Sequence, residues 1–189
     1  MIVAIPKEND PLEHRVAATP GSVKDLIKSD IKVQVESEAG ARSFYSDQNY
    51  VDVGADIIQS ASELFSQADV LIKVLPPSKE EVALLKPGSI LISFCQTTRD
   101  LDTVKALTDR SVTGFSMHLI PRTTLAQKMD ALSSQANIAG YKAVLMAATR
   151  LGVYMPLLMT AAGTIRTAKD HILGAGVAGL QAIATAKRL

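Results

Sequence analysis

The chain of 189 residues has no tryptophan, four phenylalanines, four tyrosines, one cysteine and a formal net charge of only +1. Each shortage removes a class of function. So few aromatic rings leave no platform on which nucleic-acid bases stack. Balanced charge removes the electrostatic argument for nucleic acid or an anionic membrane surface. The lone thiol, Cys95, cannot close an internal disulfide, which suits a reducing compartment. Standing at the end of the apolar run Ile90-Leu91-Ile92-Ser93-Phe94, it reads as a buried strand thiol and not as a nucleophile. His14, His118 and His171 are scattered without metal-ligand spacing and read as surface or satisfied core residues. No apolar stretch is long enough to span a bilayer. The opening MIVAIPKE reads as a strand and a charged loop, without the pattern of a signal peptide, so the expected setting is soluble and intracellular.

What is present is a globular composition in a repeating order. Apolar residues make up 47% of the chain, enough for a sizeable core in one domain or slightly more. Ile2–Ile5 reads as a short strand. Thr19 caps a helix over Pro20–Lys28, with proline in its first turn and Val23, Leu26 and Ile27 on one face. Lys32–Glu36 alternates as a strand does. Residues 45–53 and 61–66 read as helices, 70–74 as a strand ended by Pro76 and Pro77, and 80–85 as a short helix closed by Pro87 and Gly88. A strand over 90–94 and a helix over 100–108, with Leu101, Val104 and Leu107 at helical spacing, precede a last strand at 112–115. This alternation predicts a parallel sheet with helices on both faces, a first α/β domain over residues 1–121. Beyond Pro121, residues 133–151 are good helix formers interrupted only by Gly140 and stopped at Gly152, a long helix expected to link the first domain to a second, glycine-rich unit. The small-sided apolar segment 156–163 (PLLMTAAG) reads as a buried loop or packing segment, and Met155 and Met159 as core filler.

The sharpest motif lies in the last sixteen residues. Gly174, Gly176 and Gly179 form the run GAGVAG, with Ile172 and Leu173 as a strand end before it and residues 180–189 suited to a helix after it. In a dinucleotide-binding turn the first glycine allows the tight turn, the second lets the backbone approach a pyrophosphate, and the third lets the helix pack closely. The acidic residue that grips the adenosine ribose is expected about 20 residues further on, past Leu189, so the motif is opened and not completed. Leu180 and Ile183 then lack the sheet they would cover, and burial by a neighbouring chain or a mobile tail is expected. The expected class is therefore α/β: a Rossmann-like parallel-sheet domain, a long linking helix, and over 122–189 the incomplete start of a second Rossmann domain.

These residues also carry a resemblance. The segment PRTTLAQKMDALSSQANIAGYKAV (121–144), followed by LLMTAAGT and GAGVAGLQAIATAKRL, resembles the NAD(H)-binding component of proton-translocating nicotinamide nucleotide transhydrogenase, its alpha subunit. The opening IPKENDPLEHRVAATP resembles the same family and its relative alanine dehydrogenase. The resemblance covers the whole chain but about the first half of the family's component. It implies two Rossmann-like domains that dimerise and hold NAD(H) in the cleft between them. It also implies partners, a membrane-embedded proton channel and a separate component holding NADP(H), which would keep this chain cytoplasmic and peripheral to the inner membrane, with no membrane insertion of its own. Hydride would pass directly between stacked nicotinamide rings, so no catalytic acid or base is expected on this chain.

By the same resemblance, Arg122, Gln127, Lys128, Met129, Asp130 and Ser133 belong to a cofactor-binding loop at the nicotinamide end, and Gly174, Gly176, Val177, Ala178 and Gly179 to the pyrophosphate turn. Gln127 and Ser133 can hydrogen-bond a carboxamide or ribose, and Arg122 can pair with Asp130 or face the second nucleotide. As side chains, Lys128, Arg166 and Lys169 read as solvated charges, and Asp130 and Ser133 serve equally well as helix caps. Two departures separate the relatives. Alanine dehydrogenases carry a lysine in a KVKEP-like segment to hold the keto acid, and a histidine in the next strand-end loop as acid or base. Here the matching positions hold Leu75, within Lys73-Val74-Leu75-Pro76-Pro77, and Gln96, which supply neither an ammonium nor a proton-transferring imidazole. Arg15 matches a substrate-binding arginine but reads equally as a structural cation. Transhydrogenation is therefore expected, with the isolated chain inactive. An alanine dehydrogenase-like fragment and a non-catalytic dimerisation or docking scaffold are the alternatives.

Overall fold

Four consecutive apolar residues with no polar alternation suit a strand covered on both faces, and Ile2–Ile5 forms such a strand, β1, inside a six-stranded parallel sheet. The computed structural model describes residues 1–189, which divide into two units, Met1–Ile120 and Pro121–Leu189. In the first unit β1 is followed by α1 (Pro20–Lys28), β2 (Lys32–Glu36), α2 (Asp47–Val51), β3 (Asp56–Ile58), α3 (Ala61–Gln67) and β4 (Val70–Ile72). Then come α4 (Lys79–Leu84), β5 (Ile90–Ser93), α5 (Leu101–Asp109) and β6 (Thr113–Ser116). The strands lie in the order β3-β2-β1-β4-β5-β6, all parallel, which is the Rossmann order.

Period-two alternation divides the core between the two faces of this sheet. Val3, Ile5, Val33, Val35 and Val70 point to the side of α1 and α2, where Val23 and Tyr50 meet them. Ala4, Leu71 and Leu91 point to the other side, against Leu64 and Phe65 of α3, Val82 of α4 and Leu107 of α5. Tyr50 is fully buried yet satisfied, because its hydroxyl donates to Ala18 O at 3.0 Å. Local capping sets the helix starts: Thr19 accepts from Ser22 N, and Ser78 and Glu81 close a capping box on α4. The helix expected over 45–53 contracts to α2 because the Ser46–Asn49 capping box starts it late. Strand β3, which periodicity did not reveal, exists through its pairing with β2, Val35 opposite Ile57.

The second unit is built differently. Asp130 caps the twenty-residue helix α6 (Ala131–Arg150), which begins two residues before the expected start and lies wholly within this unit. An antiparallel hairpin of β7 (Leu158–Thr160) and β8 (Gly163–Ile165) comes next, then α7 (Val177–Ala186) packed against α6. Two expectations fail here. Segment 156–163 leads into and forms most of this hairpin and is not a buried packing segment: Met159 is 71% exposed, so it fills no core. Ile172 and Leu173 form no strand: the only sheet of this unit is the β7–β8 hairpin, and neither of its edges pairs with them. Leu180 and Ile183 are exposed at 58% and 38%. No helix of the chain is long and apolar enough to cross a membrane.

Candidate functional site

The loop ahead of α6 gathers most of the residues assigned to the nicotinamide end. Ala126–Met129 is a single 3-10 turn anchored by the buried Ala126 and by Ala126 N donating to Thr123 O. It curls residues 121–130 around a hollow of about 290 Å³ lined by Arg122, Thr123, Thr124, Gln127 and Asp130, with Pro121. Gln127 is exposed to this space, so its amide presents both a donor and an acceptor. Ser133 stands at the base, where its N–H and hydroxyl donate to the two Asp130 oxygens at 2.9 and 2.6 Å. These bonds hold the Asp130 carboxyl below its ordinary range, and Arg122 adds a weaker electrostatic pull in the same direction. Asp130 is thus a helix cap and a wall of the hollow at once. Lys128 and Met129 do not line it and lie exposed on the same turn.

The glycine run forms a tight turn whose packing explains two of its residues. Gly174 has φ +99°, open only to glycine at low cost, and a Cβ at Gly179 would come within 2.0 Å of Gly174 O. Gly176 is the N-cap of α7 and brings no side chain to it. The first helical bond is Leu180 N to Gly176 O, which leaves the N–H groups of Val177, Ala178 and Gly179 ahead of the helical ladder. A second close approach has no signal in the sequence. A Cβ on Gly140 would come within 2.1 Å of Ala178 O, so the apparent breaker inside α6 is the seat of the first turn of α7. Asn137 Nδ2 donates to Gln181 Oε1 at 3.0 Å one turn earlier and fixes the same register. Gly140 lies ten residues along α6 from Asp130, about 15 Å of helix, within the reach of an extended dinucleotide.

The carboxyl ends of the strands in the first unit carry a separate cluster. Lys73, just past β4, is buried and donates to both oxygens of Glu81 at 2.8 and 2.9 Å, with Glu8 3.9 Å away. Burial pushes the Glu8 carboxyl above its ordinary range, against the pull of the Val74 N–H and Lys73. Leu75 adds only a backbone N–H to Glu8. Arg15 grips Glu13 through two nitrogens, at 2.8 and 2.6 Å, and lies 5.8 Å from the Phe94 ring centre. Phe94 meets His118 edge to face, and Gln96 Nε2 lies 3.3 Å from His118 Nε2. In the sequence His118 stands more than twenty residues from Phe94 and Gln96. The parallel register Ser93 opposite Ser116 is what brings residues two and three positions beyond β6 and β5 together, and no local pattern signals it.

Comparison with known proteins agrees with this architecture. Residues 4–139 match the family model described as alanine dehydrogenase/PNT, N-terminal domain, and residues 143–189 match its C-terminal domain. The chain is 45% identical over its whole length to the first part of the NAD(P) transhydrogenase subunit alpha of Rhodospirillum rubrum, of which it covers 50%. It is 31% identical to an alanine dehydrogenase of Methanococcus maripaludis, with 96% of this chain and 49% of that protein aligned. The crystal structure of transhydrogenase from Sinorhizobium meliloti superposes with a TM-score of 0.95 at 45% identity, covering all of this chain and 56% of that one. The chain spans about half the length of the curated transhydrogenase relative from Rhodospirillum rubrum. With its parallel sheet, its capped loop and its glycine turn, it belongs to the alanine dehydrogenase/PNT family.

Proposed function

We propose that this chain is the N-terminal half of the NAD(H)-binding component of a proton-translocating NAD(P) transhydrogenase. The observation that carries the reading is the hollow in which Arg122, Gln127 and Asp130 face one another beside the Asp130–Ser133 cap. Those groups fit a nicotinamide nucleotide. Gln127 can bond a carboxamide in both senses, while the Val177, Ala178 and Gly179 N–H groups suit a pyrophosphate at a helix start. When bound, the nucleotide supplies the hydride that passes to or from NADP(H) on a partner component. The residues of this chain orient the ring and hold the loop still. Asp130, kept ionised by Ser133, keeps α6 capped, and Arg122 offers a cation to a phosphate or to a docking component.

Partners follow from the same reading. The exposed hairpin, with Leu158, Met159 and Ile165 at 37%, 71% and 50%, suits contact with a second copy, and a homodimer is proposed. Membrane-embedded and NADP(H)-binding components would hold it at the cytoplasmic side of the inner membrane. A second reading, amino-acid oxidation, has one observation in its favour: His118 returns an imidazole beside Gln96, and its Nδ1 is buried without a protein partner. It is the weaker reading, because Lys73 is committed to Glu81, Arg15 to Glu13, and Leu75 offers no ammonium.

Titration of the purified chain with NADH, followed by nucleotide fluorescence with NADPH as control, tests the first reading. Saturable binding selective for NADH and weakened by Gln127→Ala supports it. A folded chain that binds neither nucleotide overturns it. Reduction of NAD by an amino acid, lost in His118→Ala, would establish the second reading instead.

A further inference from the structure

The first unit contains a cleft that neither reading uses. It lies on the Leu91 face of the sheet, between β5, the edge strand β6 and α5, and has a volume of about 140 Å³. Its walls are apolar at Leu91, Leu107 and Val112, and it opens past Phe115, which is 55% exposed. Two buried groups form its polar end, Ser93 at 1% and Cys95 at 5% exposure. The other serine on this wall, Ser116, is engaged: its hydroxyl donates to Cys95 O and accepts from His118 N. Ser93 Oγ has no protein partner. A buried hydroxyl left unpaired is costly, so its position on the wall of the cleft calls for a ligand group.

Size and charge narrow the ligand. A cavity of about 150 Å³ holds one benzene, so this cleft takes a single ring or a short branched chain. No lining residue is charged. The Cys95 thiol, pushed up by burial and by the nearby Asp100, stays protonated, so nothing in the cleft compensates an ionised ligand. We infer that the α5–β6 cleft is a binding site for a small neutral amphiphile, about the size of phenol, whose one hydrogen-bonding group meets Ser93 and whose hydrocarbon body lies on Leu91, Leu107 and Val112.

The test is titration of the full chain with phenol, read by amide NMR shifts. Toluene, of equal size but without the hydroxyl, and benzoate, of similar shape but charged, are the comparisons. Saturable shifts confined to residues 91–97 and 104–116, with phenol bound about fivefold more tightly than toluene and no response to benzoate, are expected. Ser93→Ala should remove the preference for phenol over toluene while leaving the unliganded protein as stable or more so. Gly114→Val fills the cleft from the edge strand. The new Cβ meets only Leu107 Cδ1, at 3.6 Å, so the fold is kept while binding is abolished. Absence of saturable shifts, equal binding of toluene and phenol, or binding unaffected by Gly114→Val would each overturn the assignment.

Discussion

In Met1–Ile120 a sheet of six strands lies between two helical layers, and successive residues of β1 and β4 are buried on opposite faces. In Pro121–Leu189 only three apolar side chains are buried, Ala126, Val144 and Ala182, while Ile138, Tyr141, Met146, Val177 and Leu180 are exposed. The difference teaches where each unit gets its order. The first closes its core with its own elements, as the Rossmann arrangement allows. The second holds its shape by close backbone approach, Gly140 on Ala178 and Gly179 on Gly174, and by one capping network at Asp130. Area burial stabilises the one and fit stabilises the other.

The contrast is broken most strongly inside the first unit. Lys73→Met strands Glu8 and Glu81 without their cation, and loss of about 3–5 kcal/mol is expected in denaturant melts. The sign with pH is fixed. Glu8 already titrates above its ordinary value of 4.5, and removing Lys73 raises it further, so the folded variant takes up a proton before the unfolded chain does. The deficit should be greatest at neutral pH and shrink as pH falls toward 4.5; a deficit indifferent to pH would count against the ion cluster. Phe65→Ala, at a fully buried site, should cost a similar 3–5 kcal/mol, roughly, through transfer and cavity terms. Limited proteolysis of α7 should be unchanged by it if the second unit depends on its own contacts.

A smaller effect sharpens the other side. Gly140→Val drives carbons into the Ala178 carbonyl, and a loss of about 1–3 kcal/mol confined to the second unit is expected. The check is faster cleavage within 151–189 with the melting of the first unit unaltered. Smallest is Asp130→Asn. Asparagine caps as well as aspartate at neutral pH, so helicity should hold. In the parent chain the carboxyl is held low by Ser133, so its contribution is present above the ordinary value of 3.8 and lost as acid carries it through the lowered one. Circular dichroism below pH 3.8 should then show α6 fraying in the parent and not in the variant.

Legibility in the sequence divides along the same line. Elements β1, α1 and β2 were found at their observed bounds because an apolar run, the Thr19-Pro20 start and an alternating pattern are local signals. The parallel sheet followed from the alternation of such elements. Strand β3 was not legible, since three residues starting at an exposed aspartate become a strand only through β2. Segment 156–163 misled for the opposite reason: apolar composition states what a segment would bury, not whether a neighbour is there to bury it. At the candidate site, resemblance alone pointed to the loop of Arg122, Gln127, Asp130 and Ser133; the structure gathers the first three around one hollow with Ser133 bonded to Asp130, and their role toward a nucleotide is a proposal. The Gly140 contact and the Gln96–His118 meeting arise between elements, where no single-window pattern reaches.

The lone cysteine has a use that comes from where it sits. Cys95 is buried, its thiol is held protonated, and it has no competitor elsewhere in the chain. Its capture by a thiol reagent too bulky to enter the α5–β6 cleft therefore waits on opening of the first unit, and the rate counts those openings. When reclosing outpaces capture, the labelling rate gives the opening equilibrium; when capture outpaces reclosing, it gives the opening rate itself. The protein carries its own clock for the breathing of one half, blind to the other.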